Sequence, residues 1–128
     1  MTHRIVETAD APAAIGAYSQ AINTGNTLYT SGQIALNPED GTFVGVDDVA
    51  RQAEQAIANL FAVIRAAGFA HTDIVKATIF LVDMSHFSEV NRIYGEAMGD
   101  HRPARSTVAV SALPRGALVE IDAICCKA

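Results

Sequence analysis

The amino-acid sequence predicts an α+β fold in which a six-stranded sheet carries two helices on one of its faces. Stretches with strand and helix patterns follow one another in the order β-β-β-α-β-α-β-β along the 128 residues. Two helices are too few to cover both faces of six strands, so they should pack together on one face. The length fits one domain, residues 1–128, with a core of its own.

The first three predicted strands occupy the N-terminal part of the chain. A loop that contains Pro12 and Gly16 separates the first two, and residues 24–26 form a turn before the third. The third strand should end at Ser31 and Gly32, where the glycine permits a bulge or a close approach of the backbone to a ligand. The three strands are predicted at residues 3–8, 18–23 and 27–33.

Two amphipathic helices are predicted in the middle of the chain. The first begins at an N-cap residue, Asp47 or Asp48, and ends before Gly68. Polar residues, Asn59 among them, should lie largely off its buried stripe, and the second helix should run over residues 85–98 with Ser85 as its start. The stripe of the first helix is predicted at Ala53, Ile57, Leu60, Ile64 and Ala67.

Three more strands complete the sheet. Residues 73–83 form the longest strand, between the two helices. Residues 104–113 and 118–126 are also rich in strand formers, and the turn residues at 114–116 separate them. The short connection predicts that these last two strands pair as an antiparallel hairpin.

Charged residues interrupt the apolar pattern of the last two strands. Arg105 and Thr107 alternate onto one face of their strand, and Glu120 and Asp122 onto one face of the next. A charge on a sheet near the core is costly unless it is paired or used. Arg105 and Glu120 are therefore either residues of a functional site or only an ion pair or charges on a solvated face.

The sheet face away from the helices is predicted to be too apolar to remain in water. Large exposed apolar patches commonly mark interfaces. We therefore expect a homo-oligomer that buries this face, with Arg105, Thr107 and Glu120 at or near contacts between subunits. The apolar residues predicted on this face are Ile74, Phe80, Val82, Leu118 and Ile124.

Composition argues against several classes of protein. The formal net charge of −5 disfavours a nucleic-acid surface, apart from a local group of arginines at 102, 105 and 115. The four histidines and the adjacent Cys125 and Cys126 have no metal-ligand spacing and form no natural disulfide, so we expect no metal site and a reducing, cytoplasmic location. No apolar run reaches the roughly 18 residues of a membrane span, and the first ten residues lack the apolar segment of a signal peptide.

Four blocks of the sequence together resemble the Rid family of reactive intermediate deaminases, also called the YjgF family. They are residues 11–20 (APAAIGAYSQ), 30–34 (TSGQI), 90–94 (VNRIY) and 102–124, in the order in which the family has them. The resemblance implies a chorismate-mutase-like fold and a homotrimer with active sites in the clefts between subunits. It also implies hydrolysis of enamines and imines, such as 2-aminoacrylate and 2-iminopropanoate, to 2-keto acids and ammonia without a cofactor.

The resemblance also implies roles for individual residues. Arg105 matches the arginine that holds the substrate carboxylate, which suits a planar guanidinium, and Glu120 matches the acid that assists water and proton transfer. Thr107 stands at a substrate-binding position where many members have cysteine, so thiolate chemistry is not expected there. Four further residues match the pocket lining, although each has a plainer interpretation as a packing aromatic, a strand end or a helix-surface residue: Tyr18, Ser31, Gly32 and Asn91.

The predicted hairpin bears on how Arg105 and Glu120 relate. Simple antiparallel pairing would put Arg105 opposite about residue 126, so that Glu120 lies roughly 20 Å further along the sheet at ~3.3 Å per residue. Both side chains could not then grip one small acid within a subunit. If both serve one site, Glu120 should come from a neighbouring chain.

Three other functions stay open from the sequence. Some relatives are described as ribonucleases or translation inhibitors, which the acidic balance and the lack of an evident histidine pair disfavour. Others deaminate pathway intermediates, such as aminomuconate or products of pyrimidine breakdown, where the same arginine would serve. The third is a ligand sensor or chaperone-like binder without catalysis.

Overall fold

The computed structural model describes residues 3–128 and confirms the α+β prediction. Six strands and two α-helices follow in the predicted order within this range. Neither helix is long and apolar enough to cross a bilayer. The elements are β1 (Arg4–Val6), β2 (Ala21–Asn23), β3 (Thr27–Thr30), α1 (Val49–Ala66), β4 (Ile74–Leu81), α2 (Phe87–Met98), β5 (Ala104–Ala109) and β6 (Val119–Cys126).

All six strands belong to one mixed sheet with the order β1-β2-β3-β6-β4-β5. Neighbouring strands pair antiparallel, except that β4 and β5 run parallel. A parallel pair needs a crossover connection, and α2 supplies it between β4 and β5. The two edges of the sheet are β1 and β5.

The predicted hairpin between the last two strands is wrong, because β4 lies between them. Ala77 of β4 is opposite Arg105 of β5 on one side and opposite Ala123 of β6 on the other. Residues 110–118 carry the chain around the end of β4, and the 3₁₀ turn Pro114–Gly116 lies within this passage. Turn residues indicate where a chain reverses, but they do not specify which strand it joins.

Both helices pack on one face of the sheet, as predicted. The carboxylate of Asp48 caps α1 by accepting the N–H of Arg51 at 3.1 Å, and Gly68, with φ of 84°, follows its end. The side chains between helices and sheet form one apolar cluster. It includes Ala53, Ile57, Leu60 and Ile64 of α1, Val90, Ile93 and Tyr94 of α2, Ala77, Ile79 and Leu81 of β4, and Val119, Ile121 and Ala123 of β6.

Two local expectations about the helices are wrong. Asn59 was predicted off the buried stripe of the first helix, but it is buried. Its side-chain amide donates to the carbonyl groups of Ile34 and Leu36 at 3.0 and 2.9 Å. A buried polar group needs such partners, and here they hold the segment after β3 against α1. The start of the second helical segment is capped by Asp83, whose carboxylate accepts the N–H of Ser85, rather than by Ser85 itself.

Neither helix packs on the second face of the sheet, which we call the open face. A bulge between Ile74 and Lys76 reverses the predicted facing at the start of β4, so Ile74 is 1% exposed and Val75 is 47% exposed. Leu118 also packs against the core, contrary to the prediction. The other apolar residues predicted on this open face are half-buried: Phe80, Val82 and Ile124.

Candidate functional site

Arg105 and Thr107 were predicted at or near the open face of the sheet, and this prediction is wrong. Both residues lie on the side of the sheet that the helices cover. In the pairing of β4 with β5, Arg105 is opposite Ala77 and Thr107 is opposite Ile79. Directly paired residues share a face, and Ala77 and Ile79 are buried in the core. Alternation along β5 correctly indicated that Arg105 and Thr107 share a face, but it could not tell which face the helices cover.

The guanidinium of Arg105 is held by three residues of α2. Its Nη1 donates to Oδ1 of Asn91 at 2.8 Å, and its central carbon lies 5.0 Å from the ring centroid of Tyr94 and 5.6 Å from that of Phe87. Positions 87, 91 and 94 fall on one side of a helix, so α2 presents all three together. The other N–H groups of Arg105 have no acceptor in the part of the chain that the structure describes.

An open pocket of about 390 Å³ adjoins this arginine. We call it the arginine pocket; its lining residues are Asn91, Tyr94, Gly95, Arg102, Pro103 and Arg105. Burial raises the pKa of the Tyr94 hydroxyl, while the charges of Arg105 and Arg102 draw it down. Two buried hydroxyl oxygens, those of Tyr94 and Thr107, have no hydrogen-bond partner in residues 3–128.

Glu120 lies on the opposite, open face of the sheet. It is directly opposite Phe80 on β4, between the buried residues Val119 and Ile121. A small pocket adjoins its carboxylate, and we call it the glutamate pocket. It is lined by Glu120, Tyr18, Gly32 and Gln33, together with apolar residues: Pro12, Ala13, Ile15, Ile34, Leu36 and Pro114.

Gly32 lies in close contact with the carboxylate of Glu120. A Cβ atom at position 32 would lie 2.1 Å from Oε2 of Glu120, so any side chain there would displace the carboxylate. Two backbone hydrogen bonds between Gln33 and Ile121, at 2.8 and 3.1 Å, fix this approach. Ser31 is close by, but its hydroxyl donates to the carbonyl of Ser19.

The carboxyl of Glu120 is held in an environment that favours its protonated form. Burial is the main cause that raises its pKa, and the neighbouring Asp122 raises it further. Burial also raises the pKa of Asp122. The single ion pair among the described residues joins Arg92 and Glu96, so the interpretation of Arg105 and Glu120 as partners in an ion pair is wrong within one chain.

The sheet therefore divides the predicted site residues into two groups. Tyr18 and Gly32 meet Glu120 on the open face, whereas Asn91 meets Arg105 on the helix side. Arg105 and Ala123 are both opposite Ala77, so Arg105 lies two strands across and three residues along from Glu120, a Cα separation of about 14 Å. With their side chains on opposite faces, the two groups cannot contact one small molecule within a chain.

Sequence reasoning missed three residues that shape the arginine pocket. Phe87 and Tyr94 support the guanidinium, and Arg102 adds a second one. The spacing of Phe87, Asn91 and Tyr94 on one helix face was the available signal, but nothing local links that face to β5. Arg102 was noted only as part of a basic group.

Comparisons with known proteins agree with this fold. A family profile described as endoribonuclease L-PSP matches residues 8–127. A RutC family protein of Synechocystis is 47% identical over 97% of this chain and 96% of the relative, and the 2-iminobutanoate/2-iminopropanoate deaminase of Bos taurus is 44% identical over 97% and 90%. The crystal structure of the YjgF gene product from E. coli superposes with a TM-score of 0.92 at 42% identity and covers 98% of this chain and 99% of its own.

These matches and the fold define a protein of the endoribonuclease L-PSP class. The chain belongs to the YjgF/Rid family, as the sequence blocks predicted.

Proposed function

We propose that this protein hydrolyses small 2-imino acids and their enamine tautomers to 2-keto acids and ammonia. The observation that carries the proposal is that the two pockets contain complementary groups. The arginine pocket has a positioned guanidinium, and the glutamate pocket has a carboxyl of raised pKa. The name of the bovine relative describes this reaction, and the chain matches that relative over nearly its whole length.

The arginine pocket supplies the anchor for the substrate carboxylate. Asn91 holds one nitrogen of the Arg105 guanidinium, and the rings of Tyr94 and Phe87 flank it, so little side-chain freedom is lost on binding. The remaining N–H groups can grip a carboxylate bidentately, which is the strongest arrangement of charge-assisted hydrogen bonds. Thr107 and its buried hydroxyl lie beside this anchor.

The glutamate pocket supplies the proton transfers. The ionised Glu120 orients a water molecule and takes a proton from it as the water oxygen bonds to the imine carbon. With the imine protonated on nitrogen at the start, this addition gives a neutral carbinolamine. Glu120 then returns its proton to the carbinolamine nitrogen, the C–N bond breaks and ammonia leaves, and Glu120 takes up the hydroxyl proton as the carbonyl forms. A carboxyl whose pKa burial raises above its ordinary value is better suited to accept and return a proton in this sequence.

One site needs the two pockets from different copies of the chain. Arg105 and Glu120 lie on opposite faces of the sheet, and β5 leaves an unpaired edge beside Arg105. The half-buried apolar residues of the open face call for a cover. We therefore propose a homotrimer in which the open face of one subunit, with Glu120, Tyr18 and Gly32, packs against the Arg105 edge of the next.

The other functions described for the family have less support here. Neither pocket contains a histidine within residues 3–128, and the net charge is −5, which disfavours cleavage of RNA. A pathway-specific deaminase would use the same arginine anchor, and it differs in the substrate side chain rather than in the chemistry. The free thiols Cys125 and Cys126 fit a reducing location such as the cytoplasm.

A coupled assay tests the proposal. A pyridoxal-phosphate dehydratase acting on serine generates 2-aminoacrylate, and pyruvate release is followed with and without this protein. Wild-type protein should accelerate release in proportion to its concentration, and Glu120→Gln, which keeps the shape but removes the charge, should return the rate to that of buffer. Release at the buffer rate with the wild type, at every concentration, would contradict the proposal.

A further inference from the structure

The arginine pocket contains a second guanidinium that the proposed reaction does not use. We infer, resting on the proposed function, that Arg102 is a specificity-determining residue and that the site accepts 2-imino acids whose side chain carries a second carboxylate. Arg105 would hold the carboxylate next to the imine carbon, and Arg102 would hold the one at the end of the side chain.

The backbone fixes Arg102 at the rim of this pocket. Its Nη1 donates to the carbonyl groups of Gly99 at 2.6 Å and His101 at 2.9 Å. The ring of His101 is in turn hydrogen-bonded to the carbonyl of Ile74 at 2.7 Å, so the segment before β5 is tied to β4. A long side chain that is usually mobile is thereby positioned, while its other nitrogens have no acceptor among residues 3–128.

Neither positive charge in the pocket is neutralised by this chain. No carboxylate oxygen of the described residues lies within 4.0 Å of Arg102 or Arg105, although acidic residues outnumber basic ones by 14 to 9. Burial raises the pKa of the Tyr94 hydroxyl, and the charges of both Arg105 and Arg102 act on this hydroxyl in the opposite direction. Two unneutralised guanidinium groups that line one pocket repel each other, and a ligand with two negative charges relieves that repulsion.

The dimensions of the pocket suit a short diacid. Arg102 and Arg105 both line this one cavity, so two guanidinium groups are available to one ligand. That cavity, about 390 Å³, is larger than a carboxylate and a methyl group require. Its other lining residues are uncharged, so the second arginine is the feature that distinguishes a dianion from a monoanion.

Substrate preference in matched variants tests this inference. Amino-acid oxidases generate 2-iminosuccinate from aspartate and 2-iminopropanoate from alanine, and kcat/KM is measured for both. Arg102→Gln should lower the ratio of kcat/KM for the diacid over the monoacid by about tenfold or more, because a charge-assisted contact is lost. Arg102→Lys should retain most of the ratio, and Arg65→Gln, an exposed arginine on α1, should leave it at the wild-type value.

A binding measurement separates this inference from the proposed function. Calorimetry compares 2-oxoglutarate with 2-oxobutanoate, two stable keto acids that need no turnover. Suppose that the wild type hydrolyses 2-iminopropanoate, but that Arg102→Gln changes neither the kcat/KM ratio of the two imines nor the affinity ratio of the two keto acids. The inference is then overturned and the proposed function stands. If the wild type binds the diacid more tightly in an Arg102-dependent manner but hydrolyses neither imine, the anchor stands and the proposed function falls.

An equal loss for both acids would also overturn the inference. Such a loss would mean that Arg102 only holds the segment before β5, or that it pairs with an acidic residue of a neighbouring copy. A lowered melting temperature of Arg102→Gln with an unchanged oligomer size would favour the first explanation, and a smaller oligomer would favour the second.

Discussion

The arginine pocket and the glutamate pocket prepare their charged groups in different ways. Arg105 lies on an edge strand and is held by an amide and two aromatic rings from α2. Glu120 lies on a central strand, presses against the backbone of Gly32, and has no positive charge near it among the described residues. In the arginine pocket, contacts with α2 fix the position of the charged group. In the glutamate pocket, burial raises the pKa of the carboxyl.

The sheet itself separates the two halves of the proposed site. Each half is open where the other would fit: the arginine pocket borders the free edge of β5, and the glutamate pocket opens on the uncovered face. Assembly would then complete the chemistry as well as bury apolar surface. Four variants test the two halves, and they follow from the largest expected effect to the smallest.

Removing the anchor should have the largest effect. Arg105→Ala would delete the proposed charge-assisted, bidentate contact of roughly 2–4 kcal/mol, which corresponds to a loss of about 30-fold to 1000-fold in kcat/KM. The coupled assay at sub-saturating substrate measures it, with circular dichroism and oligomer size as controls for folding and assembly. Wild-type turnover in this variant would rule out the role of Arg105 as the carboxylate anchor.

Filling the space at Gly32 should damage the other half without touching a charged residue. The new Cβ in Gly32→Ala would displace the carboxylate of Glu120, and we expect kcat to fall by about tenfold or more, since a positioned general base contributes 10²–10⁴. A kcat of Gly32→Ala equal to that of the wild type, with the fold intact, would mean that the function of the Glu120 carboxylate does not depend on the space at Gly32.

Removing the neighbouring charge should shift the pH dependence. Asp122 is the second cause, after burial, of the raised pKa of Glu120, so Asp122→Asn should lower that pKa. Under the proposed mechanism the ionised Glu120 is the active form, so kcat/KM should fall as pH drops through its pKa, and this acid limb should move to lower pH in Asp122→Asn. Asp40→Asn, a remote exposed turn residue, is the matched control; a shift of the limb to higher pH in Asp122→Asn would contradict the electrostatic assignment.

Thr107 should be the least sensitive position. Its buried hydroxyl has no partner in residues 3–128, so Thr107→Val removes an unsatisfied polar group and should leave the melting temperature unchanged or raised. If the hydroxyl contacts substrate, one neutral hydrogen bond limits the loss in kcat/KM to about tenfold. A loss of several orders of magnitude in kcat, with the fold intact, would assign the hydroxyl a catalytic role.

Local signals in the sequence predicted the elements but not their pairing. Helical periodicity located α1 and α2, and the cap at Asp48 was among the two predicted residues. The prediction of a hairpin was wrong because β4 lies between β5 and β6. This pairing joins residues that are distant in the sequence, and turn residues do not indicate it. Alternation likewise gave the residues that share a face, while the bulge after Ile74 and the position of β5 decided which face that is.

The candidate site was predictable to a similar extent. Arg105 and Glu120 stood out because charges are costly on a sheet, and the family blocks supplied their neighbours. The hairpin register, from which we predicted that Arg105 and Glu120 cannot reach one small acid within a subunit, was wrong. The structure supports the same conclusion for a different reason, since the two side chains lie on opposite faces of the sheet. The support of Arg105 by Phe87 and Tyr94 depends on how α2 packs on an edge strand, and sequence spacing alone does not specify that contact.

A subunit-mixing experiment tests most directly whether the two pockets form one site across subunits. Inactive Arg105→Ala and Glu120→Ala proteins are dissociated and re-formed together, and native mass spectrometry verifies that mixed assemblies exist. If each cleft takes Arg105 from one chain and Glu120 from another, about a quarter of the clefts in a random equal mixture contain both wild-type groups, and activity should return in proportion. Activity that stays at the level of the separate variants, with mixed assembly verified, would contradict a shared site.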